Sequence, residues 1–83
     1  MGSADRKIRV LIVDDSVVIR RMLTKELSEH GDIEVVGSVA NGAIALDRIP
    51  HCRPDVITLD LEMPVMDGME TLRSLRKLYP EIR

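Results

Sequence analysis

Residues 56–68, VITLDLEMPVMDG, constrain the fold more than any other stretch. Val56, Ile57, Thr58 and Leu59 run into Asp60, and turn-forming residues follow at once. A short, β-branched, apolar run of this kind suits a strand of a parallel sheet covered on both faces. It would deliver Asp60 to the carboxyl edge of that sheet. The stretch Ile8–Asp15, IRVLIVDD, repeats the pattern and ends in two acids, Asp14 and Asp15.

The rest of the chain supplies the connections. Ser16 or Asp15 can cap a helix starting at about Val17. Ile19, Leu23 and Leu27 give that helix an apolar stripe, which Val18 and Met22 widen, with Arg20, Arg21, Lys25, Glu26 and Glu29 on the wet side. Gly31 is expected to end it as a left-handed cap. Ile33–Ala40 reads as an edge strand, bulged near Gly37. Asn41 is expected to cap a short helix that turns Ile44, Ala45, Leu46 and Ile49 inward and ends at Pro50. A polar connection at 51–54 leads into the strand Asp55–Leu59. A last helix over Met69–Leu78 carries Leu72, Leu75 and Leu78 on its inner face, and Pro80 closes it. The order βαβαβα with short connections predicts an α/β fold: a parallel sheet, right-handed crossovers and helices on both faces. Ligands of such sheets sit beyond the carboxyl ends of the strands, where Asp14, Asp15 and Asp60 fall.

With 83 residues the chain holds one domain at most, and residues 1–7 read as a leader outside the fold. Tyr79 is its one aromatic residue, so the core must be aliphatic. A net charge of −2 argues against a nucleic-acid surface. No apolar run has the length of a membrane span. Cys52 is a single cysteine, which excludes an internal disulfide and favours a reducing, cytoplasmic location.

Three carboxylates brought together repel one another, and a hard dication removes the conflict. Magnesium takes oxygen ligands and keeps several waters, so one or two carboxylates, a backbone carbonyl and waters would hold it. A phosphoryl donor could then add its own oxygens, and a carboxylate oxygen could attack in line. The plainer alternative, for either strand taken alone, is that these acids are ordinary caps. The double acid after one strand and the single acid after another favour the site.

LIVDDS at Leu11–Ser16 and DLEMPVMDG at Asp60–Gly68 resemble the signature of response-regulator receiver domains over about Ile8–Arg83. The resemblance implies a flavodoxin-like receiver of two-component signalling. It makes Asp60 the phosphoacceptor, Asp15 a direct Mg²⁺ ligand and Asp14 an acid acting mainly through water. Glu62 takes the position whose backbone carbonyl completes the metal site. Asp60–Pro80 and Ser16–Leu27 further resemble the receiver of the chemotaxis protein-glutamate methylesterase, a hydrolase that demethylates and deamidates chemoreceptors. There a chemotaxis histidine kinase phosphorylates the receiver and relieves its inhibition of the hydrolase domain.

A receiver has five strands in the order 2-1-3-4-5, and this sequence covers the first three, as an N-terminal fragment would. The switch Ser or Thr of the fourth strand, the Lys of the fifth and the hydrolase domain are not among its residues. Impaired phosphorylation is therefore expected. The strand at 55–59 becomes an edge, which predicts self-association or segment exchange. The alternatives are a receiver fragment from a DNA-binding regulator and a truncated or engineered α/β assembly unit without activity.

Overall fold

The computed structural model describes residues 6–60 and 68–83, in the order β1 (Ile8–Val13), α1 (Val17–Ser28), β2 (Ile33–Val39), α2 (Gly42–Cys52), β3 (Val56–Leu59) and α3 (Gly68–Leu78). The three strands form one parallel sheet in the order β2-β1-β3. This is a βαβαβα arrangement, as the alternation of strands and helices predicts, with the flavodoxin-like strand order that the resemblance implies.

β1 is central, and Val10, Leu11, Ile12 and Val13 are all buried. Alternation along the strand sends Leu11 and Val13 to one face and Val10 and Ile12 to the other. Leu11 and Val13 join Val39, Ala45, Ile49 and Leu75 in the main core, under α2 and α3. α1 packs on β1 and β2, apart from the α2–α3 pair. The bulge in β2 appears at the glycine: Val10 pairs with Val35, but Leu11 pairs with Gly37, leaving Val36 as the extra residue. A Cβ on Gly37 would lie 2.9 Å from Leu11 Cδ1, so the glycine admits the central strand's side chain.

Several expectations change in detail. α1 has no fully buried residue; Val18, Ile19 and Met22 are exposed, and Leu23 and Leu27 are half-buried. Two strands cover only one side of that helix, because no other helix packs beside it among the described residues. α1 ends at Ser28 with Glu29 as a right-handed cap, and Gly31 has no positive φ. The turn is closed instead by His30 N–H to Leu27 O and Ile33 N–H to His30 O. α2 runs through Pro50 to Cys52. A proline in the last turn removes one hydrogen bond, and the Arg53 N–H still reaches Ile49 O at 2.9 Å. Arg53 itself takes the left-handed conformation, φ 47°.

Cys52 is therefore a helix residue packed against the core rather than part of a polar loop. Ile44 and Leu78 are more exposed than their stripes imply, while Thr71 is buried beside Leu75. Thr71 faces Gly42, so α3 presents its small β-branched residue to α2.

Arg9 ties the amino edge of the sheet to the end of α2. Its guanidinium donates to Cys52 O at 2.6 Å and to Arg53 O at 3.2 Å, and approaches Glu34 at 3.4 Å. Its backbone N–H donates to Asp55 Oδ2 at 2.9 Å. β3 lies at the edge of the three strands, but not wholly bare. Arg83 N–H donates to Asp55 O, and Ile57 N–H donates to Arg83 O. That pair is the bonding of a parallel neighbour, so the amino half of β3 is covered on its outer side.

Candidate metal and phosphoacceptor site

The site forms where β1 and β3 end. Asp14 N–H donates to Val39 O and Asp60 N–H donates to Val13 O, each at 3.0 Å, so both ladders continue one residue past their strands. Val13 pairs with Leu59, which brings the residues that follow, Asp14 and Asp60, side by side. Asp15 is exposed, while Asp14 and Asp60 are half-buried. One carboxylate oxygen from each of the three lies within 4.8 Å of the others.

The turn leaving β1 is held by its own side chains. Asp14 Oδ1 accepts the Ser16 N–H at 2.8 Å. Ser16 Oγ accepts the Ile19 N–H at 3.2 Å and caps α1, as its place before the apolar stripe predicts. Arg20 Nη1 donates to Asp14 O at 2.7 Å. On the neighbouring connection, Asn41 Oδ1 accepts Ile44 N–H at 2.9 Å and caps α2.

Asp14, Asp15 and Asp60 are thus brought together, while Glu62 lies outside the described residues, as do Met63, Met66 and the turn at Asp67. Sequence reasoning set Arg20 on the wet side and missed its bond to Asp14. The signal available was its place one turn beyond the Ser16 cap.

The donor set fits a hard dication. Oxygens bound to magnesium at about 2.1 Å stand about 3.0 Å apart when adjacent and about 4.2 Å when opposite, so carboxylate oxygens within 4.8 Å of one another would have to close slightly on the ion. Carboxylates so near one another carry a repulsion that a cation would relieve.

The sequence matches the response regulator receiver domain over residues 10–83. The chain belongs to that family. It is 55% identical, over 74 residues, to a protein-glutamate methylesterase/protein-glutamine glutaminase of Syntrophus aciditrophicus, covering 89% of this chain and 22% of that protein. The enzyme of the same description from Trichodesmium erythraeum is 53% identical over 76 residues, covering 92% of this chain and 22% of its own length. The chain therefore spans about a fifth of the curated relatives it matches. The crystal structure of the response regulator domain of Thermotoga maritima CheB superposes with a TM-score of 0.85 at 41% identity, covering 90% of this chain and 56% of that one. The receiver fold and the resemblance to methylesterase receivers are thus both found.

Proposed function

We propose that the chain is the phosphoacceptor part of a receiver from a chemotaxis protein-glutamate methylesterase. Residues 8–83 would form the amino-terminal part of that receiver, with 1–7 as a leader. The observation that carries this reading is the meeting of Asp14, Asp15 and Asp60 at the carboxyl ends of β1 and β3 in a receiver-family chain.

In this reading Asp60 is the acceptor. One of its carboxylate oxygens forms the bond to phosphorus as the bond from phosphorus to the donor histidine nitrogen breaks, and the electron pair leaves with that nitrogen. Asp14, Asp15 and Asp60, with the backbone carbonyl of Glu62, would hold Mg²⁺. The bound ion neutralises charge on the transferring group. Asp15 is the exposed member of the three. The phosphoryl donor is a histidine kinase of chemotaxis signalling, and the setting is the cytoplasm. No described helix is long and apolar enough to cross a membrane.

The 83 residues alone are expected to take phosphate weakly, because the hydroxyl and lysine partners that the resemblance implies lie outside them. They are also expected to self-associate through the part of β3 beyond the Arg83 pairing, at Thr58 and Leu59. Sedimentation showing a concentration-independent monomer would exclude that association.

The decisive experiment titrates Mg²⁺ into the chain by calorimetry and then adds a small phosphodonor, followed by intact mass. Asp60→Asn should weaken Mg²⁺ at least about tenfold and abolish phosphoryl addition. Unchanged affinity in that variant, or phosphate appearing elsewhere, overturns the assignment.

A further inference from the structure

The acidic pocket depends on where the turn Asp14-Asp15-Ser16 lies, and one side chain of α1 closes that turn into a ring. Asp14 holds Ser16 through its carboxylate, and Ser16 caps α1 through its hydroxyl. Arg20 N–H bonds Ser16 O at 3.0 Å within the first turn of the helix. The Arg20 guanidinium then returns to Asp14 O at 2.7 Å. With Asp14 N–H on Val39 O, the peptide units on both sides of Asp14 are anchored, one to β2 and one to α1.

We infer that Arg20 is a positioning residue for the acidic pocket: it fixes the Asp14 carbonyl and so aims the Asp14 and Asp15 carboxylates at Asp60. This rests on the metal-site reading above. A charged donor on a half-buried carbonyl is the stronger kind of hydrogen bond, short and directional. The Arg20 main chain is engaged too, since Thr24 Oγ1 donates to Arg20 O at 2.7 Å.

Charge and position act in opposite directions, which makes the role measurable. A guanidinium beside the pocket repels a cation, so removing its charge alone should tighten Mg²⁺ binding. If Arg20 aims the ligands, removing it should weaken binding instead, because a partner that orients metal ligands is worth about 10–100-fold in affinity.

The test compares the 83-residue chain with Arg20→Met and Arg20→Lys. Methionine and arginine are similar helix formers, so α1 should survive the change. Mg²⁺ affinity is read by calorimetry, Ser16 amide exchange by NMR without metal, and folding by thermal melting. The expected result for Arg20→Met is about tenfold weaker Mg²⁺ and faster Ser16 exchange, in a chain that melts at a lower temperature but still cooperatively. Arg20→Lys should recover part of both, and it decides the matter if Arg20→Met does not fold. Unchanged or tighter Mg²⁺ binding in both variants overturns the positioning role while leaving the metal site standing. A wild-type chain that binds no Mg²⁺ overturns both.

Discussion

Gly42→Ala tests how α3 is held against α2. A Cβ on Gly42 would overlap Thr71 Oγ1, and would lie 2.9 Å from Thr71 Cβ and 3.0 Å from Cγ2. Those three atoms are the whole side chain of a fully buried threonine, so no χ1 rotamer clears the clash. The two helices must move apart instead. Overpacking of this kind costs about 1–3 kcal/mol, against at most about 1 kcal/mol gained when alanine replaces glycine in a helix. With the full gain subtracted, a net loss of up to about 2 kcal/mol remains, which should lower the melting temperature by up to about 16 °C in a domain of this size. The assay is thermal unfolding by far-UV circular dichroism, with Gly31→Ala as control. A Cβ on Gly31 meets nothing within 4 Å and its φ is not positive, so that change should be neutral or slightly stabilising. The pair Gly42→Ala and Thr71→Ala should be less damaging together than the sum of the single changes, because the smaller residue relieves the overlap. Strict additivity, or Gly42→Ala melting no lower than Gly31→Ala, would refute the steric account.

Three further perturbations probe other parts of the chain. Arg9→Met removes the donors to Cys52 O and Arg53 O and should cost about 1–3 kcal/mol in urea unfolding, toward the low end because the guanidinium is partly solvated. Asn41→Ala removes the cap of α2 and should cost about 1 kcal/mol, with Asn41→Ser largely restoring it. Leu75→Ala opens a cavity among Leu11, Val13, Val39, Ala45 and Ile49 and should cost about 2–5 kcal/mol by denaturant melting.

Much of the site was legible because it is written locally. An apolar β-branched run ending in an acid specifies both the strand and the edge at which the acid emerges, so the sequence alone sets Asp14, Asp15 and Asp60 at that edge. Ser16 and Asn41 were legible as caps for the same reason, since a cap's partner lies three residues away. The burial of helix faces was less legible. A stripe shows which side of a helix is apolar, not how much neighbouring structure exists to cover it, and Val18 and Met22 remain exposed where no helix among the described residues packs beside α1. The end of α2 is less legible because proline signals a stop, while Arg9, more than forty residues away in sequence, supplies bonds to its last carbonyls.

The sequence by itself determined the alternation of elements, the parallel sheet and the three acids at its carboxyl edge, because each depends on periodicity or on neighbours a few residues apart. Only the tertiary structure decided how closely those acids approach, that Arg20 turns back onto Asp14, that Gly42 receives Thr71, and that Arg83 covers half of β3. Most of these contacts join residues far apart in the chain, and even the short one from Arg20 depends on how the turn and helix pack. Their geometry is fixed by strand register and helix packing, which no local pattern encodes.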